Sequence, residues 1–226
     1  MVHAGNFNYR NASDLPSIVP LFPLAGALLL PGGQLPLNVF EPRYLQMVDD
    51  AMAGGRIIGM IQPALDGRRR SDGEPEFCKV GCLGRITSLN ESGDGRYIIS
   101  LHGVVRFRVL EELSDRAPYR SCRAAAFLGD LDLGQGAGEV DRDSLLGTFK
   151  QYLEANQLEA DWESVTRASN ETLVNALCMM SPYGAAEKQA LLEAPDLKTR
   201  AETLVAITEI ALARDGGDDG SSHTLQ

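Results

Sequence analysis

Residues 21–44 read LFPLAGALLLPGGQLPLNVFEPRY, and no charged side chain occurs between Asp14 and Glu41. A run of that length without charge must be buried, or face a partner, over much of its extent. Pro20, Pro23, Pro31 and Pro36 forbid one continuous helix, because each removes a backbone donor and fixes φ, while Gly32-Gly33 supplies a turn. Two extended pieces are expected, Val19 to Leu24 and Leu35 to Phe40, joined by the turn at Pro31-Gly32-Gly33. Glu41-Pro42 then opens a helix, with proline in the first turn and the carboxylate placed favourably against the helix N-terminus. Tyr44, Leu45, Val48, Ala51 and Met52 recur at helical spacing, and Gly54-Gly55 ends the helix.

Outward from this stretch the pattern is that of strands. Arg56 to Gln62 is short, apolar and β-branched at three positions, bounded by Gly55 and Pro63. The charged, glycine-containing segment from Asp66 to Glu76 is a loop. Val80 to Leu89 and Arg96 to Leu110 flank Glu91-Ser92-Gly93-Asp94-Gly95, whose Asp-Gly is a strong hairpin signal. Tyr119 to Phe127 is a further candidate strand. The polar residues 1–16 show no period and are expected to be a mobile arm.

Beyond the glycine-rich Leu131 to Gly138 the pattern turns helical. Leu145, Leu146, Phe149, Tyr152 and Leu153 follow Asp141, and Leu173, Val174, Leu177 and Met180 follow Asn170; Ala185 to Glu193 and Asp196 to Arg214 complete the set. The expectation is an α+β protein: an arm over 1–16, a β-barrel of about six strands with one inserted helix over 17–128, a linker over 129–139, a helical bundle over 140–213 and a disordered Gly/Asp/Ser tail over 214–226.

Several stretches, taken in order, resemble one known family. Pro20-Leu21-Phe22-Pro23-Leu24, Leu30-Pro31-Gly32, Pro36-Leu37 and Phe40-Glu41-Pro42-Arg43-Tyr44 are similar to the opening of the substrate-recognition domain found at the N-terminus of Lon proteases and also as a free-standing protein, with a relative in cereblon. Val80 to Ile86, Leu101 to Phe107, Tyr183 and Glu187 to Glu193 resemble its later strands and its helical half. The resemblance covers residues 17 to 212. It implies a PUA-like barrel and a module that binds unfolded or degron-bearing polypeptides, as an adaptor in protein quality control beside an ATP-dependent protease.

Composition narrows the classes. The formal charge of −10 is uneven: residues 1–138 carry −1, 139–214 carry −6 and 215–226 carry −3. A nucleic-acid binder owes most of its affinity to phosphate neutralisation, and neither half here is net basic, so nucleic acid is not an expected partner. Arg68-Arg69-Arg70, flanked by Asp66, Asp72, Glu74 and Glu76, reads as a solvated loop tip. Five prolines between Leu15 and Phe40 break any helix that could span a bilayer there. With no apolar leader at the N-terminus and four cysteines too dispersed for a disulfide framework, a cytoplasmic, membrane-free location is expected.

No catalytic constellation emerges. There is no G-x-x-x-x-G-K-[ST] loop to cradle ATP phosphates, and none of Lys79, Lys150, Lys188 and Lys198 lies in a segment resembling the serine-lysine region of Lon. His3, His102 and His223 fall in an arm, a strand and a tail, which no Ser-His-Asp arrangement could join without mobile termini. Cys78 and Cys82 would lie about 13 Å apart along a strand, too far for one tetrahedral metal. The chain is therefore expected to be non-enzymatic, with no catalytic residues, metal or cofactor. Successive strand residues point to opposite sides, so not every apolar residue of Leu28 to Phe40 can face inward. The leftover surface places a peptide-binding site at Leu35, Leu37, Val39, Glu41, Arg43 and Tyr44. The alternative is a barrel pocket binding a small molecule or a nucleotide or RNA; a nucleic-acid role would need Arg85, Arg106, Arg108, Arg120 and Arg123 to converge on one face.

Overall fold

A computed structural model describes residues 1–114, 117–132 and 136–218. The strands are β1 (Val2–Ala4), β2 (Phe7–Tyr9), β3 (Ile18–Pro23), β4 (Gln34–Val39), β5 (Ile57–Ile61), β6 (Val80–Glu91), β7 (Tyr97–Leu113) and β8 (Ser121–Ala126). The α-helices are α1 (Pro42–Ala53), α2 (Arg142–Ala155), α3 (Trp162–Arg167), α4 (Asn170–Met180), α5 (Ala185–Glu193) and α6 (Leu197–Asp218). The fold is α+β, built on a mixed six-stranded sheet in the order β4-β7-β6-β5-β3-β8, which a further β7–β8 pairing closes on itself. Among the described residues only β3 and β5 pair in parallel, and the connection between them carries β4 and then α1.

The length of β7 explains both the closure and the one strand left outside it. Its first half, Tyr97 to His102, pairs with β4 on one side and β6 on the other. Its second half, from Val105, stays on β6 but exchanges β4 for β8. Gly103 marks the change: a Cβ there would stand 2.0 Å from the carbonyl oxygen of Leu30, so only glycine lets the 28–33 loop cross the strand. Gly81 plays the same part for the ring of Phe107, which would lie 2.7 Å from an added Cβ. Val19, Leu21, Leu83, Val105, Phe107 and Cys122 fill the barrel.

Residues 1–16 do not behave as the mobile arm expected of them. β1 and β2 form an antiparallel hairpin, and Val2, Ala4 and Tyr9 are buried in the barrel's own cluster. The physical reason is alternation: Val2 and Ala4 share one face of a strand, and Gly5, in the left-handed region with φ 59°, turns the chain so that Tyr9 returns to it. A capping box at Asn11 and Asp14 orders the short 3-10 turn that follows.

The helices do not form a single bundle over 140–213 either. The chain separates into two compact units, Met1–Gln135 with Asn175–Glu193, and Gly136–Val174 with Ala194–Gln226. α5 and most of α4 thus belong to the barrel. What ties α5 there is a pair of buried amides. Gln62 accepts from the Gly26 N–H at 2.9 Å and donates to the Ala185 carbonyl and Gln189 Oε1 at 2.9 and 3.0 Å. Gln189 donates in turn to the Val80 carbonyl and to Glu193. The Arg106 guanidinium forks onto both oxygens of Asp130 at 2.8 Å and donates to the Leu192 carbonyl. Asn175 reaches the Pro31 carbonyl at 3.1 Å.

In the second unit α2 packs on α6. Asp141 and Asp161 cap α2 and α3, and Arg142 bridges Asn170 and the Val165 carbonyl. α6 runs to Asp218, five residues into the segment expected to be disordered; the rest of that tail lies outside the described residues, as do 133–135 of the expected linker.

Candidate functional site

Because β4 pairs with β7 alone, one of its edges is unpaired among the described residues. Which backbone groups that edge offers follows from hydrogen-bond alternation. Gly103 accepts from the Gly32 N–H at 2.9 Å and donates to the Gly33 carbonyl at 2.8 Å, so the backbone of β7 faces β4 at residue 103. Stepping back by twos, Leu101, Ile99 and Tyr97 face β4 as well, and their register partners are Leu35, Leu37 and Val39. At the hairpin the Ser92 N–H bonds the Arg96 carbonyl, which turns Arg96, Ile98 and Ser100 towards β6 and agrees with this phase. Gln34, Pro36 and Asn38 therefore direct their backbones away from the sheet. The free edge carries three carbonyls but only two N–H groups, since Pro36 has none.

Side chains alternate along the same strand. Leu37 and Val39 point inward and are 9% and 1% exposed, while Leu35 is half-buried. Gln34, Pro36, Asn38 and Phe40 point outward, Phe40 being 61% exposed. Behind them lie His102, Ser100 and Ile98 of β7, then Arg85, Ser88 and Asn90 of β6. No carboxylate or ammonium belongs to these positions. Two guanidiniums stand beside them: Arg96 stacks over the Phe40 ring at 5.8 Å and pairs with Asp94, and buried Arg85, opposite His102 in β6, donates to neutral acceptors. Burial, with His3 nearby, holds the His102 imidazole below its ordinary pKa, so the outward residues of β4 and their partners on β7 carry no charge at neutral pH on a chain of net charge −10.

Of the six residues expected to bind peptide, the structure leaves only Leu35 at the free edge with part of its side chain open. Leu37 and Val39 are core. Tyr44 is 5% exposed, its ring 4.6 Å from that of Phe22, and burial pushes its phenol pKa up. Glu41 and Arg43 bond each other at 3.0 Å, and Arg43 stacks over Tyr44 at 4.7 Å, so the two charges that end the uncharged run are tied down locally. The residues that point outward instead are Gln34, Pro36, Asn38 and Phe40. Pro36 signals only that the backbone there turns away from a ladder partner, since it has no N–H to donate.

The five arginines do not converge. Arg106 forks onto Asp130, Arg120 bonds Glu112 and Arg123 approaches Glu111 at 3.8 Å, while Arg108 stacks on Phe127. Buried Arg85 donates to neutral acceptors, the Gly55 carbonyl at 2.8 Å, Asn6 at 3.1 Å and the Tyr9 hydroxyl at 3.3 Å. It lines a cleft of about 470 Å³ with Phe7, Ile18, Tyr119 and two carboxylates, Asp14 and Asp50. Both carboxylates are already engaged, Asp14 by the backbone of Arg10 and Asn11, and Asp50 by Tyr119 and Gln46. Among the described residues no group of three or more His, Cys, Asp or Glu could hold a metal ion, and no helix is long and apolar enough to cross a membrane.

Comparison with known proteins adds a family. Residues 18–209 match the model of the ATP-dependent protease La (LON) substrate-binding domain. The chain is 27% identical over 208 residues to Lon protease 2 of Myxococcus xanthus, covering 87% of this chain and 24% of that protein. It is 30% identical over 192 residues to Lon protease of Desulfosudis oleivorans, covering 82% and 23%. The chain thus spans about a quarter of the length of these curated relatives. Among solved structures it resembles a Lon N-terminal domain protein from Xanthomonas campestris, with TM-score 0.57, 23% identity and coverage of 84% of this chain and 98% of that one. The N-terminal domain of a Mycobacterium avium complex Lon protease gives TM-score 0.58 at 17% identity, covering 85% and 98%.

Proposed function

Since the chain belongs to the family of Lon substrate-binding domains, we propose that it is a non-catalytic module that binds extended polypeptide, and that the free edge of β4 is where the polypeptide lies. The observation that carries this reading is the conjunction of an unpaired strand edge with outward residues, on β4 and on its β7 partners, that carry no charge. An exposed edge is a template for strand addition: backbone bonds supply affinity without regard to sequence, and flanking side chains select. A module that must take many unfolded clients needs that division of labour. Such segments give up conformational freedom on binding, so affinity is on the order of micromolar or weaker. Presenting clients to an ATP-dependent protease, or shielding degron-bearing chains, is the role in which such a module would act.

The test is fluorescence anisotropy of this protein against a labelled, reduced and carboxymethylated client, alongside the same client folded. Saturable binding of the unfolded form alone is the expected result. Equal binding of both forms, or none at millimolar protein, would remove the proposal. A second reading, a small ligand in the cleft beside Arg85, draws on that cleft's aromatic walls. The scatter and pairing of the arginines speak against an RNA surface.

A further inference from the structure

We infer that Pro36 leaves the edge of β4 one hydrogen bond short towards a client strand, and that it disfavours twice as heavily the joining of two copies of this chain along the same edge. The inference rests on the strand-addition reading above and deepens it by naming the segment the edge selects.

The edge presents Gln34, Pro36 and Asn38 to an incoming strand. An antiparallel client would place three alternate residues opposite them. The residues facing Gln34 and Asn38 each exchange two bonds, while the residue facing Pro36 donates its N–H to the proline carbonyl and finds no donor for its own carbonyl. A client thus makes five of six bonds. Two copies of β4 paired with each other bring one Pro36 from each side, so the ladder loses a donor twice and makes four of six. An unsatisfied carbonyl at a pairing edge is costly wherever water is displaced, and proline on an edge strand is a known means of blunting it. One residue therefore penalises self-pairing twice as heavily as client pairing.

The client class follows. Its three residues facing β4 must each supply an N–H, so none of them is proline. On the outer side their side chains run beside Gln34, the Pro36 ring, Asn38 and the exposed Phe40, with Ile98 and Ser100 behind. The one charge beside them, the Arg96 guanidinium over Phe40, is already paired with Asp94, so the segment is an uncharged extended stretch of about five residues. Unfolded chains display such stretches, and folded proteins bury them.

The experiment uses the whole chain, the Pro36→Ala and Pro36→Val variants, and a nine-residue uncharged peptide with versions N-methylated at each position in turn. Wild type should bind the peptide, with hydrogen exchange slowed at the Gln34 and Asn38 amides, and N-methylation should weaken binding at every second position only. Pro36→Ala and Pro36→Val, which restore the missing donor, should bind three- to tenfold more tightly and acquire a concentration-dependent dimer by sedimentation. Circular dichroism on both variants checks that the sheet is intact. Wild-type binding with unchanged affinity in both folded variants overturns this inference and leaves the proposed function standing. Absence of wild-type binding overturns the proposed function, and the sedimentation arm then decides on Pro36 by itself: variants that remain monomeric reject its role.

Discussion

At Val39 and Leu35 two residues of one strand face the same way and yet differ in what they can do. Val39 is sealed in the core and Leu35 sits half-open where the strand has no neighbour. A carboxylate at residue 39 would be buried without a partner, which costs about 4 kcal/mol or more. Val39→Asp is thus expected to unfold the protein in urea titrations at far lower denaturant than wild type, and Leu35→Asp to cost only about 1–2 kcal/mol. If Val39→Asp retained wild-type stability, the assignment of β4's inward face would be wrong. The cysteines follow the same logic of burial: Cys122 has its thiol pushed up to about 12 by burial and then by Glu112, so it is a packing residue rather than a nucleophile. Conversely Pro36, which contributes no chemistry of its own, leaves the free edge of its strand one N–H short.

Among elements, α5 is the one whose place could not be read from its own sequence. Its buried residues are Gln189, Leu191 and Leu192, so polar and apolar contacts hold it together. Gln62 and Gln189 use both amide hydrogens each on named acceptors, a network in which no member is spare. Gln62→Leu keeps the volume but strands the Gly26 N–H, the Ala185 carbonyl and Gln189 Oε1. We expect a loss of about 2–3 kcal/mol in chemical denaturation, with earlier proteolytic cutting around 181–196 and an unchanged far-ultraviolet spectrum. No change in cutting would mean that apolar contacts alone seat the helix.

For the whole molecule the predicted response to acid has a definite sign. Partial burial pushes the Glu112 carboxyl up, but its bonds and ion pairs with Arg120 and then Arg70 outweigh this and hold it below its ordinary value of 4.5. A depressed carboxyl stabilises the fold above 4.5 and loses that contribution as pH falls through the folded value. His102, depressed from 6.5 by burial and His3, prefers to be neutral in the folded state, so its penalty also grows as pH falls. Both therefore act in the same direction. Thermal melts should be flat from pH 8 to 7, begin to fall below 6.5 and steepen below 4.5. The His102→Gln variant should remove the first of these steps and keep the second. A melting temperature that rises between pH 6.5 and 5 would contradict the His102 assignment.

Much of this was legible in the residues themselves. The Pro-Gly punctuation of 21–40, the helix opening at Pro42, the Asp-Gly hairpin and the Val/Ile-rich runs are local signals, and local backbone restrictions act whatever the rest of the chain does. The hairpin over residues 2–9 was also local, carried by a Gly-Asn turn between alternating apolar residues, but polar asparagines around it hid the alternation. Three things had no local signal. That β4 lies outside the closed barrel depends on β7 being long enough to serve two partners in turn. That α5 joins the barrel and not the other helices depends on Gln62, more than a hundred residues away. That Leu37, Val39 and Tyr44 are core whereas Gln34, Pro36, Asn38 and Phe40 face outward depends on which side of β4 the barrel occupies. An apolar run states how much surface must be hidden; only the closed sheet decides which side of each strand hides it.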